Sequence, residues 1–160
     1  MAFRTKALLD LGGFDDCLGP GTLSVGGEET YVLASLLRGG STVLHWPAAI
    51  TWHYHRRTME ELEKQFFDYA AGLSAFYVSM LRSSPSTIVS LLALVPQGVT
   101  DLLSQRGKGM TGDLPDDFPP ALLRASRRGI LRGAGLYLRE VRRQRRQVTT
   151  PADDARDRRA

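Results

Sequence analysis

The chain has one cysteine in 160 residues, Cys17, so an intrachain disulfide framework is excluded, and a reducing compartment is compatible with the composition. It also lacks a long apolar run. The best candidate, Ile88 to Val95, is interrupted by Ser90 and ended by Pro96, well short of the roughly 20 apolar residues that span a bilayer. The start, Met-Ala-Phe-Arg-Thr-Lys, has no apolar h-region and predicts no signal peptide. A P-loop and a Rossmann glycine fingerprint are both missing. There is no internal repeat, and no His-Asn-Cys arrangement for nucleophilic catalysis, so Cys17 reads as a small loop residue. Acidic residues are scarce in one place only. Residues 124–146 carry one glutamate against 9 arginines, while residues 1–123 carry 13 acids against 9 bases. The net charge of +4 therefore conceals a basic segment of net charge +8, suited to lipid headgroups, phosphorylated substrates or nucleic acid.

What is present fits one domain of ordinary size. Hydrophobic residues make up 42% and charged residues 24%, enough for a core and too apolar for wholesale disorder. Residues 3–9 read as a short helix or turn. Gly12-Gly13-Phe14-Asp15-Asp16 and Gly19-Pro20-Gly21 predict a surface loop from about 12 to 27. Glu28 to Arg38 reads as a helix with two acids in its first turn and Gly39 at the left-handed position after its end. Thr42 to Leu44 and Ala49 to His55 read as strands around Pro47. In the second, Ile50, Trp52 and Tyr54 alternate with Thr51, His53 and His55, placing both histidines on one face.

Thr58-Met59-Glu60-Glu61 is a capping-box signature. It predicts a long amphipathic helix to about Arg82, with Phe66, Tyr69, Ala70, Leu73, Phe76, Tyr77 and Met80 as its buried stripe and Pro85 as its stop. A second helical piece reaches Leu103, and Gln105 to Pro120 reads as loop. A basic helix then runs from Ala121 to about Gln147, weakened by Gly129, Gly133 and Gly135 at roughly 1 kcal/mol each. Thr149 to Ala160 reads as a disordered tail.

Two groups of residues carry candidate chemistry. Glu28 and Glu29 either decorate a helix N-terminus for dipole reasons or supply a general base at a junction whose flanking glycines, Gly26 and Gly27, admit a substrate. His53 and His55, followed by Arg56 and Arg57, are either structural or hold a metal and an anion, since imidazole ligates divalent metals and guanidinium forks bind phosphate. The basic helix is either a solvated face or an interfacial helix lying on an anionic leaflet. Nucleic-acid binding is disfavoured, because no recognisable motif occurs and aromatics are few in the basic segment.

The series Ala2-Phe3-Arg4, Gly12-Gly13-Phe14-Asp15, Gly26-Gly27-Glu28-Glu29 and Trp52-His53-Tyr54-His55-Arg56 resembles the second half of a family 2 glycosyltransferase, a GT-A-type enzyme. The resemblance implies an α/β fold: a partial GT-A (nucleotide-diphospho-sugar transferase-like) domain over residues 1–57, a helical extension over 58–147 and a disordered tail over 148–160. It implies inverting transfer of a sugar from a nucleotide-diphospho-sugar to a glycan or lipid-linked acceptor, as in cell-envelope polysaccharide synthesis. Glu29 is then the base, Glu28 orients the acceptor, Gly26, Gly27 and Arg56 contact substrate, and His53 and His55 meet a divalent cation (Mg2+ or Mn2+). In the family the acidic pair is usually Glu-Asp; here the second position is Glu29.

The nucleotide-binding half with its Asp-x-Asp motif does not occur upstream, so the isolated chain is expected to be inactive unless a partner chain supplies it. A cytoplasmic location, peripheral at the inner face of the plasma membrane, follows from the same resemblance. The alternative expectation is a non-catalytic, membrane-peripheral or partner-binding helical module.

Overall fold

The computed structural model of the chain describes residues 1–89, Ala93, Pro96 and 117–149. Helix α1 spans Thr5–Asp10, α2 spans Glu28–Arg38, α3 spans Met59–Ser83 and α4 spans Pro120–Thr149, with a 3-10 turn at Pro85–Thr87. Ile88, Val89, Ala93 and Pro96, on the way to the second helical piece, are helical; the rest of that piece to Leu103, most of the loop from Gln105 and residues 150–160 lie outside the described residues. The tail expected from 148 begins later than that, because α4 continues through Thr149.

Local hydrogen bonds set the start of α3 and the end of α2. The Thr58 hydroxyl accepts from the Glu61 N–H at 3.2 Å, and the Glu61 carboxylate reaches back to the Arg57 and Thr58 N–H groups. These backbone bonds hold the Glu61 carboxyl below its ordinary range. Helix α2 stops in a Schellman motif: Ser41 N–H bonds Leu36 C=O at 2.9 Å and Gly40 N–H bonds Leu37 C=O at 3.0 Å. The left-handed residue is Gly40, φ 80°, and not the expected Gly39, φ −75°; the chain reverses one residue later than expected.

Helices α3 and α4 form the body. Phe66 stands 6.0 Å from Phe118 at the entry to α4, Ala71 meets Gly129 and Gly133, and Arg82 reaches Tyr137. The two helices therefore run in the same direction. Their close approach depends on small residues. A β-carbon on Gly129 would sit 2.8 Å from the Ala70 β-carbon, and one on Gly133 would overlap the Ala71 backbone. Gly129 and Gly133 are spaced as in the small-xxx-small motif that lets helix backbones touch. The glycines that weaken α4 in isolation are the ones that let it pack.

On the other side of α3, Gly72 lies under Gly26 and Gly27, where a β-carbon would come 2.8 Å from the Gly26 carbonyl carbon. The core along these contacts includes Cys17, Leu18, Ala75, Tyr137 and Val141.

The described residues contain no β-strand. This overturns the α/β expectation and with it the partial GT-A domain and the resemblance to family 2 glycosyltransferases, whose second half is built on a sheet. The physical reason lies in pairing. The alternation over Ala49 to His55 is real, and residues 51–57 have no helical or turn structure, but a strand needs a neighbour for its N–H and C=O groups. No such neighbour lies alongside among the described residues. The backbone bonds between 42 and 57 are local, Ala49 N–H to Trp46 C=O at 3.0 Å and Ile50 N–H to Ala48 C=O at 3.1 Å.

Candidate functional site

The acidic pair occupies the first turn of α2. Gly27 caps the helix with φ 94°, a conformation that glycine alone adopts without strain, and its contact with the Gly72 carbonyl leaves no room for a side chain. Gly26 and Gly27 thus serve a close backbone approach. Glu28 lies half-buried against Gly19, and Glu29 is exposed. His53 and His55 are exposed on the extended segment. Arg56 lines an open groove of about 340 Å³ together with Val25, Glu61, Lys64 and Asp68, apart from the acidic pair.

No group of three or more His, Cys, Asp or Glu side chains gathers in metal-binding range among the described residues. His53 and His55 by themselves supply fewer ligands than a divalent-cation site takes. With no sheet among the described residues to hold base, metal and donor together, the glycosyltransferase reading, and the enzymatic and nucleotide-sugar roles that came with it, are not supported.

The polar chemistry that does converge is structural. Asp15 sits at the join of loop 12–27, α3 and α4. One carboxylate oxygen accepts from the Cys17 N–H at 2.9 Å; the other accepts from the Tyr137 hydroxyl at 2.7 Å and from the Ser79 hydroxyl. The Arg82 guanidinium donates to the Tyr137 oxygen at 3.2 Å. Burial pushes the Tyr137 phenol above its ordinary range.

A second clasp is built on Glu140, whose side chain is fully buried. It accepts from the Leu23 N–H at 3.2 Å, from Arg143 Nη2 at 2.7 Å and from Gln144 Nε2 at 3.2 Å. Burial pushes this carboxyl up, but the bonds from Arg143, Leu23 and Gln144 outweigh it and leave the group below its ordinary range. Gln144 also holds the Asp16 carbonyl at 2.6 Å and accepts from the Cys17 thiol at 3.4 Å. Burial, with Asp15 nearby, pushes the Cys17 thiol up to about 11, so it stays protonated at neutral pH and is a poor nucleophile.

The Gly-Gly-Phe-Asp-Asp segment therefore anchors a loop on the helical body. The sequence reading missed Glu140, Ser79 and Arg82 as its partners. One signal was available: Glu140 is the lone acid among 9 arginines, between the apolar positions Tyr137 and Val141, where an acid has reason to stand only if something donates to it.

The backbone from Thr42 to Arg56 pairs with no other element among the described residues. Trp46 is 64% exposed, Ile50 72%, Trp52 92% and Tyr54 99%. The backbone N–H groups of Thr51 to Arg56 have no hydrogen-bond partner among the described residues.

No family model, curated protein or solved structure matches this chain.

Proposed function

We propose that the chain is a non-catalytic docking module, a helical body that holds out the extended segment 41–57 to pair with an open sheet edge of another protein. The row of exposed aromatic and aliphatic side chains on an unpaired backbone carries this reading. Large exposed apolar groups in one stretch mark interaction sites, and tryptophan and tyrosine dominate binding energy at such sites. Burying Trp52 and Tyr54, at about 200 Å² each and about 25 cal/mol per Å², releases about 10 kcal/mol before the cost of ordering the segment.

The period of two supports strand addition as the mode. Pairing Thr51 to Arg56 with a sheet edge turns Ile50, Trp52 and Tyr54 to one face and Thr51, His53 and His55 to the other, as in strand addition. Pro47 cannot donate to a ladder and limits the pairing to the residues that follow it.

The test places a photo-crosslinking amino acid at position 52 and, separately, at exposed Glu29 in cells that express the chain. The reading expects a discrete adduct from position 52 alone. The captured protein, purified, should then bind the intact chain and lose binding to Trp52→Ser. Equal labelling from both positions, or a captured protein indifferent to Trp52→Ser, would overturn it.

A further inference from the structure

The structure changes the meaning of the arginine-rich helix. Its long apolar stripe is not free to lie on a bilayer, because Leu122, Ala125, Gly129, Gly133, Tyr137 and Val141 are buried, with the glycines and Tyr137 against α3. The outward face is a different surface. Arg124, Leu131, Gly135, Leu138 and Arg142 recur at helical spacing and are all exposed, with Leu131 at 72%. Arg128, Arg132 and Arg139, also exposed, flank this line; Arg128 stands over the Phe67 ring.

The one acid of α4, Glu140, is turned inward and held by Arg143, Leu23 and Gln144. The exposed surface of the helix therefore carries arginines and leucines and no carboxylate. Arg124, Arg132, Arg139 and Arg142 form no ion pair among the described residues.

From this arrangement we infer that the outward face of α4 docks on an anionic lipid surface. Charge complementarity selects an anionic partner: guanidinium forks match phosphate. The leucines select lipid over nucleic acid. In a phosphate-lined groove Leu131 and Leu138 would be stranded against charge, whereas at a bilayer they enter the boundary between headgroups and chains while the arginines stay with the phosphates. No aromatic side chain is available on this face to stack a base, since Tyr137, the one aromatic of α4, is fully buried. The line from Arg124 to Arg142 is about 27 Å long at 1.5 Å per residue, long enough to lie across several headgroups. Among the described residues no helix is long and apolar enough to cross a membrane, so the contact is peripheral. This inference stands apart from the role of segment 41–57.

The test is co-sedimentation of the intact chain with vesicles of phosphatidylcholine alone and of phosphatidylcholine mixed with phosphatidylglycerol. Parallel arms use higher salt and a duplex DNA oligonucleotide. Binding is expected to the mixed vesicles alone and to weaken with salt. The triple variant Arg124→Gln, Arg132→Gln, Arg139→Gln should bind about 100-fold more weakly, at about fivefold per arginine near the surface. The double variant Leu131→Ser, Leu138→Ser should lose several-fold more than any effect on DNA. Circular dichroism checks that each variant keeps its helix; if the triple variant does not, the leucine variant, whose side chains lie on the exposed surface, carries the test.

Equal binding to both vesicle types, or binding unchanged by either variant, would overturn the inference. So would tighter binding to DNA with the leucine variant indifferent, or loss of vesicle binding in Trp46→Ser, Trp52→Ser with the α4 variants unaffected.

Discussion

Gly133→Ala and Gly135→Ala are the same chemical change, two residues apart on one helix, and they should move stability in opposite directions. Each gains about 1 kcal/mol of helix propensity. At Gly135 nothing lies within 4 Å of an added β-carbon, so that gain stands, and the variant should be more stable by about 1 kcal/mol. At Gly133 the added carbon would come 2.8 Å from the Ala71 carbonyl carbon and α-carbon. These are backbone atoms of a packed helix, which cannot swing aside as a side-chain tip can. Overpacking of this kind costs about 1–3 kcal/mol, so the net effect is a loss of about 1 kcal/mol and the two variants should differ by about 2 kcal/mol. Urea unfolding followed by helical ellipticity measures this directly, with an unchanged m-value showing that the unfolded state is not the cause. If both alanines stabilise alike, Gly133 does not sit at a helix crossing and the contact of α3 with α4 is refuted.

Asp15→Ala should lower stability by about 2–4 kcal/mol, because it leaves the buried hydroxyls of Ser79 and Tyr137 without an acceptor; Tyr137→Phe, which removes a donor along with its need, should cost less in the same unfolding assay. Glu140 makes stability acid-sensitive. Its folded pKa is depressed, so its contribution is fully present above the ordinary carboxylate value of about 4.3 and is lost as pH falls through the lower folded value. A pH series of urea midpoints should show that loss, and Glu140→Gln should flatten it while lowering stability at neutral pH by about 2 kcal/mol. Cys17 should react slowly with iodoacetamide in the folded chain until pH approaches about 11, and at the rate of a free thiol once unfolded; rapid labelling at neutral pH would show that the loop is not seated on α4.

Helices were legible in the sequence because their signals are local. The capping box at Thr58, the acids opening α2 and most of the apolar stripe of α3 each involve side chains within a turn or two of one another, and the structure forms them in place; Tyr69, expected in the stripe, is instead 70% exposed, and small residues such as Ala71, Gly72 and Ala75 take the buried face. Strand pairing is not local. Residues 49–55 have the right alternation, yet alternation says which faces a strand would present and not whether a neighbour exists. The family resemblance supplied an imagined sheet for that neighbour, and the site residues followed it. Seen on a helical body, Gly26 and Gly27 are explained by the backbone of α3 at Gly72, and Asp15 by the hydroxyls of Ser79 and Tyr137. The glycines of α4 show the converse: propensity alone marks them as defects, while only the packed pair of helices shows that Gly129 and Gly133 are needed where they stand and Gly135 is not.

Amide hydrogen exchange over Thr51 to Arg56 tests the central claim most directly, measured on the chain alone and again with the protein captured through position 52. In the chain alone these six amides should exchange as fast as an unstructured peptide, while amides of α3 around Ala71 and of α4 around Tyr137 exchange slowly. In the complex the segment should gain protection as it enters a ladder. Slow exchange over Thr51 to Arg56 in the isolated chain would mean the segment already has a strand partner, and unchanged fast exchange in the complex would mean it docks on none; either result contradicts the account.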